Sequence, residues 1–201
     1  PLQPSIGGRD DAFVTKLNPT GATLVFSTYL GGLDDDAGNG IAVHPTDGSV
    51  FVVGSTRSVD FPLVAALQQG LAGRFDAFVT RLSATGAALV TSTYLGGAGD
   101  DIAQAVTVDA DGVAYMTGST NSTAFPTAGA TFRPPAGLLD AFVTQLVEAG
   151  VIQFTSSSYQ VSETGGSALI TVQRTGDTSS SATVHFATSD GTATAGADYT
   201  A

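Results

Sequence analysis

A motif that returns twice at a nearly constant interval constrains this chain more than any other feature. The run Asp-Ala-Phe-Val-Thr begins at residue 11, 65 residues later at 76, and 64 residues after that at 140. Ser-Thr-Tyr-Leu-Gly-Gly occurs at 27–32 and 92–97, and Phe-Pro at 61–62 and 125–126. A period of this length is typical of one supersecondary unit that buries its core by stacking on further copies.

Each period contains four short runs rich in β-branched and aromatic residues. They lie at about 12–17, 23–29, 40–44 and 50–55, and again at 77–82, 88–94, 104–108 and 113–118. Turn-forming residues separate the runs, and Asp111-Gly112 is the sharpest hairpin signal because glycine accepts the positive φ of a tight turn. The pattern predicts four antiparallel strands per repeat, which is the blade of a β-propeller.

The composition supports strands joined by turns and excludes several kinds of function. Sixteen of the 18 acidic residues are Asp, while the helix-forming Lys and Glu are almost absent. With a net charge of −11 and seven scattered basic residues, the chain is not expected to bind nucleic acid. It has no cysteine and therefore no disulfide. It also has no apolar run of the roughly 20 residues that cross a bilayer.

These motifs resemble the bacterial SBBP β-propeller repeat over about residues 8–150. The resemblance implies a propeller of about seven blades, of which residues 1–150 would supply two full repeats and the start of a third. The remaining blades of the parent protein are then expected partners of this domain. We therefore expect incomplete blades of about 65 residues here.

The texture of the sequence changes near Val151, where Ser and Thr become frequent and the period ends. Residues 151–201 resemble the N-terminal half of a Calx-beta domain, which implies a partial immunoglobulin-like β-sandwich associated with calcium. By that resemblance, Glu163 and Asp198 supply carboxylate ligands to Ca²⁺, and further ligands come from loops beyond Ala201. Calcium takes about six to eight oxygens, so we expect it only in the complete domain. The alternative is that Glu163 and Asp198 are ordinary strand-edge and turn residues.

Other acidic and histidine residues are candidates for chemistry. Asp34–Asp36 and Asp100-Asp101 each follow a Gly-Gly pair, where they would either form a metal or acid–base site or make local turns that cap the corner. The sequence favours the turns, because an EF-hand would need a glycine where Asn39 stands. His44 beside Pro45 is expected to be an exposed turn residue, and His185 lies in the second domain.

Repeated aromatic residues favour core packing. Phe13, Phe78 and Phe142 are therefore expected to pack between blades. Tyr29 and Tyr94 are expected in the core as well, although an exposed tyrosine would offer a face on which a sugar could stack.

The sequence as a whole predicts an all-β, non-enzymatic segment of an extracellular or cell-surface bacterial protein, acting in adhesion or as a scaffold toward a protein or glycan partner. The alternative is part of a propeller enzyme, a lyase or glycoside hydrolase with its site in the central funnel. An enzyme would need His, Arg or Glu residues that break the repeat. A third hypothesis is an intracellular assembly module.

Overall fold

The computed structural model describes residues 1–127, 138–147, 151–154, 169–175 and 183, and the described part contains strands and no helix. The chain divides into two compact units, 1–148 and 149–201. The all-β class predicted from the sequence is confirmed. No helix that is long and apolar enough to span a membrane occurs in these described ranges.

The first unit contains nine described strands, and seven of the eight predicted runs are extended or shifted by one to four residues. The strands are β1 (Ala12–Leu17), β2 (Leu24–Leu30), β3 (Asp36–Val43), β4 (Val50–Thr56), β5 (Asp76–Leu82), β6 (Leu89–Leu95), β7 (Asp101–Val108), β8 (Ala114–Thr120) and β9 (Asp140–Leu146). The largest difference from the prediction is at β3 and β7, which begin at the aspartates that the sequence pattern had assigned to the preceding turns.

The sheets are out of phase with the sequence repeat by two strands. Among the described strands, β1 and β2 form one sheet, β3 to β6 a second and β7 to β9 a third, each in chain order. The prediction that the first four strands form one blade is therefore wrong. The chain leaves the first sheet at Gly31-Gly32, whereas β4 and β5 pair antiparallel from Val50↔Leu82 to Thr56↔Asp76. A blade takes two strands from one period and two from the next.

Strand β4 shows how the sheets stack. Its alternate residues point to opposite faces: Val50 and Val52 join one apolar cluster, and Phe51 and Val53 join another. All four side chains are buried, at roughly 1.5–3 kcal/mol for each fully buried large apolar side chain. The middle sheet is therefore covered on both faces, as the repeat predicted.

Neighbouring sheets also approach closely through β3 and β7. Asn39 lies at a β-bulge between Gly38 and Gly40, and its Nδ2 donates to the carbonyl of Ala103 at 2.9 Å. A Cβ atom on Gly40 would lie 3.0 Å from Cα of Ala105. Small residues at these positions let the two backbones meet.

The β7–β8 connection confirms the turn predicted at Asp111-Gly112. Gly112 has a φ of 87°, which glycine adopts without steric cost. Oδ1 of Asp109 accepts from the amides of Asp111 and Val113 at 3.0 and 2.9 Å. The loop is therefore closed by an aspartate side chain as well as by the glycine.

In the second unit, β10 (Val151–Phe154) pairs antiparallel with β11 (Val172–Thr175). Strand β11 falls at the end of a segment, 168–174, in which the alternation of apolar and polar residues predicts a strand.

Candidate functional site

The two Gly-Gly pairs of the repeat each lie between two aspartates. We name these arrangements the first corner (Asp11, Gly31, Gly32, Asp36, Ser58) and the second corner (Asp76, Gly96, Gly97, Asp101, Ser122). A Cβ atom on Gly96 would lie 2.7 Å from Cγ of Asp76 and 2.8 Å from Oδ2 of Asp101. On Gly31 it would lie 2.7 Å from Cγ of Asp11 and 2.7 Å from Oδ2 of Asp36. The carboxylates fit because the central residue has no side chain.

The aspartate that begins β3 or β7 makes the same hydrogen bonds in both corners. Oδ2 of Asp36 accepts from the amide of Gly32 and from the hydroxyl of Ser58, both at 2.7 Å. In the second corner the corresponding bonds to Asp101 measure 2.8 Å from the amide of Gly97 and 2.7 Å from the hydroxyl of Ser122. Each carboxylate thus links the Gly-Gly pair that follows one sheet to the loop that follows the second strand of the next sheet.

The other aspartate of each corner organises the loop that precedes its strand. In the second corner, Asp76 accepts from the amides of Ala72 and Gly73, both at 2.9 Å, and from Nε2 of Gln68 at 2.7 Å.

In the first corner the same three bonds reach Asp11. They come from the amides of Gly7 at 2.9 Å and Gly8 at 3.2 Å and from Nε2 of Gln3 at 2.7 Å. The match between the corners extends to the glutamine oxygen, since Gln3 Oε1 accepts from Gly31 as Gln68 Oε1 accepts from Gly96.

Burial governs the protonation of Asp36. Desolvation raises the pKa of this carboxyl above its ordinary value, although hydrogen bonds from Thr56, Gly32 and Ser58 oppose the shift, and the charge of Asp11 raises it further. Its second oxygen, Oδ1, is buried without a hydrogen-bond partner in the described part of the chain.

Asp76 follows the same physics. Burial raises the pKa of its carboxyl, hydrogen bonds from Ala72, Gly73 and Gln68 oppose that rise, and the negative charge of Asp101 adds to it. The ion pairs formed in the described ranges involve Asp35 and Asp47 and not these buried aspartates. Asp36, Asp76 and Asp101 are therefore buried carboxylates that accept hydrogen bonds from main-chain amides.

The sequence prediction for the acidic runs is correct in part. The carboxylates do cap the Gly-Gly corners, but the capping residues Asp36 and Asp101 are the first residues of strands. Asp34 makes a local bond, accepting from the amide of Asp35 at 3.2 Å. Within the described ranges, no group of three or more His, Cys, Asp or Glu residues is placed to hold a metal ion.

Sequence reasoning missed Ser58 and Ser122. Each serine stands three residues before the Phe of a Phe-Pro pair, so their equal offset within the repeat was the available signal. Both are almost fully buried, and the carboxylates of Asp36 and Asp101 accept the hydrogen bonds that their hydroxyls donate.

The prediction that His44 is exposed is wrong, because its side chain is only 7% exposed. Its Nδ1 accepts from the amides of Thr46 and Asp47, both at 3.2 Å. A Cβ atom on Gly112 would lie 3.2 Å from Nε2 of His44, so the imidazole fills the space beside a neighbouring turn. His185 lies outside the described residues.

The aromatic predictions hold for most positions. Phe78, Phe142 and Tyr94 are buried, whereas the prediction that Phe13 and Tyr29 lie in the core is wrong, because both are exposed on the first sheet. In the second unit, Glu163 and Asp198 lie outside the described residues, and their assignment as calcium ligands stays a prediction.

Comparison with known protein families finds one match in each part of the chain. Residues 92–126 match the family model described as a beta-propeller repeat, and residues 147–201 match the Calx-beta domain. No curated protein matches the chain. The two matches confirm the predicted families in the predicted order. They support a binding or structural role, and Calx-beta domains are generally associated with calcium.

Proposed function

Since the chain carries a beta-propeller repeat followed by a Calx-beta domain, we propose that it is a non-enzymatic segment of an extracellular or cell-surface protein that acts in adhesion or as a scaffold. The blades present their loops to a protein or glycan partner, and several weak contacts from repeated units add up to firm attachment. The Calx-beta domain, stiffened by calcium, spaces the blades from the surface that carries them.

The observation that carries this proposal is the equivalence of the two corners. An active site needs groups aimed at a substrate, and such groups break a repeat. Here the corresponding carboxylates Asp36 and Asp101 make the same bonds to a glycine amide and a serine hydroxyl. Both are buried. Carboxylates that are buried and bonded in this way favour a structural role for the corners over a catalytic role.

Charge agrees with the proposed setting. A net charge of −11 repels nucleic acids and anionic lipids, and it attracts divalent cations. Calcium binds oxygen ligands, with dissociation constants of about 10⁻⁴–10⁻³ M in extracellular modules. Glu163 and Asp198 would provide two of the carboxylates in the complete Calx-beta domain.

The test is to apply the labelled chain, with and without calcium, to a printed glycan array and to a panel of purified extracellular-matrix proteins. Saturable binding to a member of either set is expected. In parallel, the chain is incubated with a panel of polysaccharides, and reducing ends and unsaturated uronates are measured. Turnover of any polysaccharide, lost on substitution of a single residue, would overturn the non-enzymatic proposal in favour of a lyase or glycoside hydrolase.

A further inference from the structure

Four side chains that differ from one repeat to the next lie close together, where the loop after β4 meets the residues before β5. One period later their places are taken by different residues: Ala98 for Leu33, Asn121 for Arg57, Thr123 for Val59 and Leu139 for Phe75. A residue that only holds a blade together is expected to recur from blade to blade, so these four are candidates for another role. Together with Arg74, which precedes Phe75, we name them the arginine patch.

Strand pairing and a side-chain bond bring the members of the arginine patch together. Arg57 comes directly after β4 and Phe75 directly before β5, and these two strands pair up to those ends. The amide of Leu33 donates to Oδ1 of Asp60 at 2.9 Å, which places Leu33 beside Val59. Three segments of the chain therefore form one surface.

Two guanidinium groups lie near the ring of Phe75. Cζ of Arg57 is 5.8 Å and Cζ of Arg74 is 5.3 Å from the ring centroid, within the distance at which an aromatic ring attracts a cation. Nη1 of Arg57 also lies 3.6 Å from Oδ2 of Asp35. Among the described residues, no carboxylate pairs with Arg74, which is exposed. The ring thus orients Arg74, while its N–H donors remain for an external acceptor.

Two large apolar side chains extend the patch. Leu33 is 75% and Val59 is 79% exposed. Phe61, two residues after Val59, is instead buried in the core, with its ring centroid 4.6 Å from that of Phe78. The loop is therefore anchored from below, and an anchored surface loses little conformational freedom when a partner binds.

Aspartates beside the patch restrict what it can accept. The nearest along the chain, or across the β-bridge to Phe75, are Asp34, Asp60 and Asp100. These charges, in a chain of net charge −11, repel a polyanion such as a polyuronate or a sulfated glycan. A single carboxylate that reaches Arg74 meets one unpaired cation, and the residues next to that carboxylate meet the apolar side chains. The arrangement favours a protein segment over an acidic polysaccharide.

We propose that the arginine patch binds a protein segment in which one Asp or Glu stands beside a large apolar residue. This inference rests on the proposed function and assigns its partner to the proteins. Arg74 donates two N–H bonds to the carboxylate, and the apolar residue packs against Leu33 and Val59. Phe75 keeps the plane of the guanidinium group oriented.

The probe is a phage-displayed library of random dodecapeptides, panned on the immobilised 201-residue chain. Enrichment of peptides that carry Asp or Glu next to a large apolar residue is expected. An enriched peptide is then labelled with fluorescein and titrated with the chain and its variants by fluorescence anisotropy. Arg74→Ala and Phe75→Leu should each weaken binding about tenfold or more, because arginine and aromatic anchors dominate such contacts. Arg74→Lys should not restore it, because lysine lacks the planar fork.

Arg9→Ala is the matched control. Arg9 is an exposed arginine at the same position of the preceding repeat, but it is followed by Asp10 and not by a phenylalanine. It should leave binding unchanged, and circular dichroism should show that all variants fold alike. Failure to enrich such peptides, or an equal loss in Arg9→Ala and Arg74→Ala, would refute the proposal.

Two further outcomes separate this inference from the proposed function. Saturable binding of polygalacturonate or heparin that Arg74→Ala abolishes would overturn the protein segment in favour of an anionic glycan. Binding of the chain to an extracellular-matrix protein that Arg74→Ala leaves unchanged would contradict the arginine patch alone, whereas only turnover of a polysaccharide contradicts the non-enzymatic function.

Discussion

The hydroxyl of Ser58 donates to Oδ2 of Asp36 at 2.7 Å, which ties the loop after β4 to the first residue of β3. The same bond joins Ser122 to Asp101 at 2.7 Å in the next repeat. Because β3 and β4 are hydrogen-bonded along their length, this bond closes the hairpin at its open end. It also brings the Phe-Pro segment into position over the next strands.

Removing the acceptor at this corner should destabilise the first unit. Asp36→Ala leaves the amide of Gly32 and the hydroxyl of Ser58 buried without a partner, at about 1–3 kcal/mol for each. Asp36→Asn keeps an oxygen acceptor and should change the free energy of unfolding by less than about 1 kcal/mol. Urea unfolding followed by circular dichroism measures both, with the exposed Asp111→Asn as control. Equal losses in the Ala and Asn variants would contradict this assignment.

Two aspartates should give opposite dependences of stability on pH. Burial raises the pKa of Asp36 above 3.8, so between 3.8 and the raised value the folded state binds more protons, and the free energy of unfolding increases as pH falls. Burial acts on Asp47 as well, but hydrogen bonds from Ser49 and the charge of Arg81 leave its pKa below 3.8. Its contribution is present above 3.8 and is lost as pH falls through the lowered value.

Urea unfolding at a series of pH values tests this contrast. The unaltered chain should gain stability from Asp36 as pH falls toward 3.8, and Asp36→Asn should abolish this gain. It should lose the stabilisation from Asp47 as pH falls below 3.8, and Asp47→Asn should abolish this loss. A change of the same sign in both variants would be inconsistent with the two environments.

A methyl group at the centre of a corner should not be tolerated. Gly96→Ala places a Cβ atom 2.7 Å from Cγ of Asp76, and the buried carboxylates cannot move without losing their hydrogen bonds. We expect a loss of roughly 1–3 kcal/mol in the free energy of unfolding, as for other overpacked sites. Gly70→Ala is the control, because nothing lies within 4 Å of its added Cβ. Equal stability of the two variants would show that the corner has room for a methyl group.

The same substitution at equivalent strand positions should have unequal effects. Phe78→Ala empties a buried site beneath Phe61 and should cost about 3–5 kcal/mol. Phe13→Ala alters an exposed side chain and should change the free energy of unfolding by no more than about 0.5 kcal/mol. The two variants are compared by urea unfolding. A large loss in Phe13→Ala would mean that this ring is covered in solution.

Calcium should stabilise a chain carrying the complete Calx-beta domain. At a calcium concentration about 100 times the dissociation constant, binding to the folded state alone adds about 2.7 kcal/mol. Glu163→Gln and Asp198→Asn should each reduce this gain, while Asp190→Asn, which removes another aspartate of the same unit, should not. Calorimetric titration and thermal melting measure the effect. No heat and no shift with the unaltered domain would leave both residues as ordinary strand-edge and turn positions.

The sequence by itself determined the class of this protein and the stacking of its units. The period of the Asp-Ala-Phe-Val-Thr motif requires repeated strand units, and such units must stack because one unit cannot bury both of its faces alone. Gly112 could be placed in a turn because its positive φ is a local property. The order of the two families also follows from motifs, which are read without knowing any contact.

Tertiary structure alone decided where each sheet begins and which repeated residues are buried. A periodic sequence has the same period from any starting point, so the break at Gly31-Gly32 becomes visible only when β4 pairs with β5. Phe13 and Phe78 share their local sequence, yet one is 71% and the other 0% exposed. Burial depends on whether another segment covers the ring, and that neighbour lies far away along the chain. For the same reason, the partners of Asp36 and His44 emerge only from the folded molecule.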